Sequence, residues 1–88
     1  MPALPDTEPT IVAADDNEDV LVIWRGGPRL YVAASAIADR MGFTLDELPQ
    51  RMTRRLREGF VRNHLPAIRA AAEAARARDP RFTTLTDF

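Results

Sequence analysis

Cysteine is absent from this 88-residue sequence. Its absence excludes disulfides, thiolate nucleophiles and cysteine metal sites together. A small domain without disulfides fits a reducing compartment better than secretion. Lysine is absent too: all twelve basic residues are arginine, a usage that fits either a GC-rich coding bias or selection for bidentate anion binding. Histidine and serine occur once each, as His64 and Ser35. No apolar run approaches the roughly 20 residues that cross a bilayer. The first nine residues hold three prolines and two acids but no apolar core of a signal peptide, so no secretory leader is expected. Together these absences point to a soluble, cytoplasmic protein with no membrane partner.

The sparse inventory also limits chemistry. Ser35 lies in no Gly-x-Ser-x-Gly elbow, so a serine triad has no support. His64 has no His-x-x-x-His or Glu-x-x-His companion, and a metal site needs two or three further ligands. Gly26-Gly27 is followed by no Gly-Lys-Ser/Thr and reads as a hairpin turn rather than a phosphate loop. The acidic run Asp15-Asp16-Asn17-Glu18-Asp19 lacks the glycine and distal glutamate of a calcium loop and reads as a solvated turn. No enzyme, cofactor or metal is therefore expected.

What is present is charge, unevenly placed. The net charge is −1, but the residues up to Pro49 sum to −6 and those from Gln50 onward to +5. From about Gln50 to Arg78 the chain reads as one long amphipathic helix, interrupted at Pro66. At roughly 100° per residue, Met52, Leu56, Phe60, His64, Ile68, Ala71 and Ala75 share a face that must be buried against something. Arg51, Arg55, Arg62, Arg69 and Arg76 share the opposite face. The stripe keeps its phase through Pro66, which favours a kinked helix or two abutting helices over a wide loop. Asp79-Pro80 ends the segment.

The first half alternates differently. Thr10 to Ala14 is short and β-branched, an edge-strand candidate. Val20-Leu21-Val22-Ile23-Trp24-Arg25 is the strongest strand signal, and Gly26-Gly27-Pro28 turns the chain back into Leu30-Tyr31-Val32-Ala33. Ser35 is placed to cap a short helix ending at Met41, with Gly42 as its stop. Thr44 and Glu47 fit a capping box, and Pro49 falls in that turn or at the start of the long helix. Residues 81–88 read as a final strand joining the sheet. Trp24, Phe60 and Tyr31 are expected to fill the sheet–helix interface rather than line a ligand pocket, and His64 to be a packed residue with one hydrogen bond.

Three blocks of the chain carry a family likeness. The first is Val20-Leu21-Val22-Ile23-Trp24, the glycine turn, and Leu30-Tyr31-Val32-Ala33 continuing to Gly42. The second is Gly59-Phe60-Val61-Arg62-Asn63-His64-Leu65-Pro66-Ala67-Ile68-Arg69-Ala70-Ala71-Ala72. The third is the threonine-rich tail ending at Phe88. In order, over roughly residues 19–88, they resemble a bacterial family of small domains of unknown function, number 1488 in that series (DUF1488). The resemblance implies a compact α+β fold with a small antiparallel sheet packed on helices. It implies no activity and carries over no catalytic residue.

The expectation is a lead-in over 1–9 and a single α+β domain over 10–88. That domain has a small antiparallel sheet, made of the N-terminal hairpin and the C-terminal strand, packed against a long kinked amphipathic helix and one or two short helices. A chain of this size buries only about 60% of its potential surface, so a partner or a second copy is physically attractive. The expected function is that of a non-enzymatic accessory or protein-interaction domain, with a homodimer as one form. The alternative is nucleic-acid binding through Arg51, Arg54, Arg55 and Arg62, since a helix lined with arginine can contact phosphates. The pI near 5.7 weighs against that alternative, because nucleic-acid modules are usually strongly basic.

Overall fold

The hairpin around Gly26 organises the sheet. Gly26 takes φ 72°, a left-handed conformation that glycine adopts without steric cost. The Gly27 N–H donates to the Trp24 carbonyl at 2.9 Å, and the Trp24 N–H to the Pro28 carbonyl at 3.2 Å. This turn joins β2 (Val20–Ile23) to β3 (Arg29–Val32) as antiparallel neighbours, and β1 (Thr10–Ala13) pairs antiparallel with the other side of β2. The computed structural model describes residues 8–14 and 19–88. Most of the lead-in and all of the acidic turn except Asp19 lie outside the described residues.

A fourth strand, β4 (Thr84–Leu85), completes the order β1-β2-β3-β4. The C-terminal strand thus joins the sheet as expected, but it lies parallel to β3, so the sheet is mixed rather than wholly antiparallel. A parallel pair needs a crossover of a dozen or more residues, and the helices between Val32 and Thr84 supply it. Hydropathy patterning alone does not distinguish the two directions for a two-residue strand.

Alternation sorts the sheet into two faces. Ile11, Ala13, Val20, Val22, Leu30, Val32 and Leu85 point into the core. On the other face Val12, Leu21, Tyr31 and Thr84 stand in register across all four strands, exposed or half-buried. The helices cover the first face only, so the domain has two layers.

Helix α1 (Ala34–Met41) starts differently from the sequence expectation. Ser35 does not cap it but sits exposed within its first turn. The Ala34 N–H instead donates to Asp19 Oδ1 at 2.7 Å, so the cap comes from the start of β2 and ties the helix to the sheet. Gly42 ends the helix at φ 78°, as expected of a left-handed stop. The capping box is present, with Glu47 Oε1 accepting from the Thr44 N–H at 3.0 Å and the Thr44 hydroxyl at 2.9 Å. It opens a short 3-10 turn, Leu45–Glu47, that runs into α2 (Leu48–Arg51), where Pro49 occupies the first turn.

The long amphipathic segment is broken twice. Met52 is extended (φ −135°, ψ 110°), and Thr53 caps α3 (Arg54–Asn63) by accepting from the Leu56 N–H at 3.3 Å. His64 then leaves helical geometry, and α4 (Leu65–Arg78) begins with Pro66 in its first turn, where the missing N–H has no partner to lose. Two abutting helices, not one kinked helix, therefore follow the break at Met52. Helix α3 packs against β1 and β2, and α4 against β4. Trp24, Leu30, Ile37, Leu48, Val61 and Ile68 are fully buried between the layers, each contributing roughly 1.5–3 kcal/mol relative to exposure.

Candidate functional site

Met52 lies outside α3, and within that helix Leu56, expected on the buried face, turns outward while Arg57 turns inward. Helix α3 turns Arg57, Phe60 and Val61 inward, a spacing of three and four. Arg57 is 3% exposed and Leu56 is 56% exposed. The Arg57 guanidinium donates through Nη1 to the Met52 carbonyl at 2.9 Å and through Nη2 to the Ala14 carbonyl at 3.3 Å. Glu58, next in sequence, accepts the Ala13 N–H at 2.9 Å. Two consecutive charged side chains thus hold α3 to the end of β1 and the residue that follows it.

Several of the remaining arginines are paired within the chain. Arg62 pairs with Glu8 at 3.9 Å, and Arg69 with Glu73 at 4.0 Å. Arg51 approaches Glu47 at 3.7 Å and stacks over the Phe43 ring at 4.3 Å. Such exposed pairs contribute little to stability, but they partly neutralise the arginine face within the chain. Glu47 is held below its ordinary value of 4.5, first by the hydrogen bond from the Thr44 backbone N–H, then by the Thr44 hydroxyl, with the Arg51 charge adding to it. Arg54 is exposed in the first turn of α3. Arg55 is exposed there too, and no hydrogen bond or ion pair engages it among the described residues.

Leu56 and Arg55 belong to a groove of about 350 Å³ between α3 and the segment from Met41 to Met52. Its floor and walls are Met41, Phe43, Met52, Leu56, Gly59 and Phe60; Arg51, Arg55 and Asn63 are its polar lining, and no carboxylate lines it. Met41 and Leu56 are two of the five exposed large apolar residues among those described, and Leu45, in the turn after Phe43, is a third. Gly59 lies mid-helix, and a Cβ built on it would meet nothing within 4 Å. Its backbone is helical, so no turn or close approach within the chain requires a glycine.

A second cavity, about 290 Å³, lies between α4 and the C-terminal residues, with Ala71, Ala75, Phe82, Leu85, Phe88 and Arg78 around it. Phe88 also packs on the ring pair at the α3–α4 junction. His64 stacks on Phe60 with centroids 4.1 Å apart, and Phe88 lies 6.1 Å from Phe60 and 6.3 Å from His64. His64 Nδ1 sits 2.9 Å from the Phe60 carbonyl, the packed, singly bonded histidine that its apolar neighbours suggest. Trp24 and Phe60 are core residues, but Tyr31 is 41% exposed on the open sheet face; it takes no part in the interface expected for it, because Leu30 and Val32 on either side of it take the inward positions. Among the described residues no group of three or more His, Asp or Glu is arranged to hold a metal ion, and no helix is long and apolar enough to cross a membrane.

Sequence reasoning singled out Arg51 and Arg55, which the fold brings to one groove, and Arg54 and Arg62, which do not line it. It missed Met41, Phe43 and Gly59 as parts of a site. A signal existed in Gly59, a helix-breaking choice inside an otherwise strong helical pattern. The chain matches no family model, no curated protein and no solved structure.

Proposed function

We propose that this domain is a non-enzymatic accessory protein that binds another polypeptide through the groove beside α3. The observation that carries the reading is the pairing of exposed apolar side chains, Met41 and Leu56, with a mid-helix glycine that the chain's own packing does not require. Isolated exposed apolar residues need no explanation, but a contiguous group in a concavity marks an interaction site. The two-layer architecture and the resemblance to family 1488 are compatible with this role and suggest no chemistry of their own.

Nucleic-acid binding is the weaker reading. Arg57 is buried, Arg51 lies on Phe43, and Arg62 is paired with Glu8. A phosphate backbone also has no use for an apolar floor. The test is a photo-crosslinking residue at position 56, compared with one at position 12 on the open sheet face, in native cells. A protein adduct specific to position 56 supports the reading; adducts at neither position, or equal adducts at both, would remove the groove as the working surface.

A further inference from the structure

We infer that the occupant of this groove is an amphipathic helix with acidic flanks, supplied by a different protein. This rests on the groove being the interaction site, and it adds the chemistry and shape of the partner.

Charge sets the chemistry. Arg51 and Arg55 are the ionisable residues lining the groove, and both are positive. Arg55 is unengaged among the described residues, so its charge is available to a carboxylate at the rim. The same feature argues against a second copy. Helix α3 carries four arginines against Glu58, and α4 three arginines against Glu73. Helix α1 balances Asp39 with Arg40. None of these offers an acidic face, and basic helices brought together would repel.

Shape sets the conformation. Partners commonly add a strand to an open sheet edge or lay a helix in a groove. At the outer edge β1 is four residues long and its Ala13 N–H is already taken by Glu58, and β4 is two residues long, too short to template a strand. The groove runs along α3, whose backbone groups are already bonded within the helix. Glycine at position 59 leaves a gap among the α3 side chains that line the groove, between Leu56 and Asn63, where an incoming helix can approach the α3 backbone. A mid-helix glycine costs roughly 0.5–1 kcal/mol relative to alanine, and close approach by a partner backbone is the use that offsets it.

The experiment uses displayed helical peptides about four turns long, with Leu, Met or Phe at i, i+3 or i+4, and i+7. One library carries Asp and Glu on the flanking positions and the other Lys and Arg. The acidic library is expected to yield binders and the basic one none. Binding of the selected peptides should fall by at least about tenfold on Gly59→Leu, which fills the groove, and on Arg55→Glu, which reverses its rim. It should be unchanged by Tyr31→Ala on the open sheet face. Circular dichroism and melting temperature identify any variant that fails to fold, and Arg55→Glu, at an exposed site, is the variant that keeps the test decisive. Equal yield from both libraries, or binding indifferent to both groove variants, overturns the inference. So does a solution mass twice 9.8 kDa that halves on Gly59→Leu, because the occupant would then be a second copy. Retention of a short DNA duplex that Arg55→Glu abolishes also overturns it. If position 56 crosslinks to a protein while no acidic peptide binds, this inference falls and the proposed function stands; if neither occurs, both fall.

Discussion

Helices α3 and α4 meet at His64 and are held to the sheet by different physics. Helix α4 is rich in alanine, and it presents Ile68, Ala72 and Ala75 to the interior. Its attachment is apolar burial, which is non-directional and scales with area. Helix α3 is rich in arginine and attaches at two kinds of point. Phe60 and Val61 enter the core, while Arg57 and Glu58 make directional hydrogen bonds to the backbone of β1 and its following residue. Directional contacts fix the rotation of α3 about its own axis. That rotation turns Leu56 and Arg55 outward together and forms the groove. A helix held by burial alone would have drawn Leu56 inward.

The largest effect that tests this contrast is expected for Phe60→Ala. The ring joins the apolar attachment of α3 to the His64–Phe88 cluster, and its loss should cost about 3–5 kcal/mol, readable in urea denaturation. A midpoint close to wild type would mean that the polar contacts hold α3 unaided. Arg57→Met comes next. Methionine keeps an apolar stem but leaves the Met52 and Ala14 carbonyls without their donor, at about 1–3 kcal/mol for each acceptor that water cannot reach. A neutral result would show that the guanidinium positions nothing.

Gly59→Ala should act in the opposite direction, raising stability by about 0.5–1 kcal/mol, or several degrees in melting temperature for a domain of this size. A lower melting temperature would mean that the space beside Gly59 is closed in solution. The smallest effect is local. Because Glu47 is held below its ordinary value, its bond to the Thr44 N–H supports the fold fully above the usual glutamate range. That support is lost as pH falls through the lowered value. Protection of the Thr44 amide from hydrogen exchange, corrected for intrinsic rates, should therefore be higher at neutral pH than at a pH acid enough to protonate Glu47, and lose that dependence in Glu47→Gln. Equal protection at both pH values in the wild type would remove the capping box from the account.

How much of this the sequence disclosed follows the range of the interactions. The Gly26 hairpin, the Gly42 stop, the Thr44–Glu47 box and the Asp79 terminus are written within a few residues each, and each was legible. The cap on α1 was misread because Asp19 supplies it from across the fold, while Ser35 stood at the local position. The direction of β4 is a property of the whole crossover. The stripe failed at Leu56 for a subtler reason: α3 is rotated so that Arg57, Phe60 and Val61 centre its buried face, and Leu56 falls at the margin of that face. Of the site, Arg51 and Arg55 were visible as charges. The apolar half was not, because Met41 and Phe43 reach the groove from a separate segment that no helical wheel of α3 contains.

The outer strand of a sheet is an open invitation to fibre growth, since its unpaired amides and carbonyls will accept any extended chain that arrives. Here one turn of α3 answers in kind: Glu58 offers an acceptor to the Ala13 amide, and Arg57 offers a donor to the Ala14 carbonyl. The carboxylate thus caps one outward amide of β1, and the guanidinium caps the carbonyl of the residue that follows the strand, without extending the sheet. The Ala13 amide, at least, is no longer offered to an arriving strand.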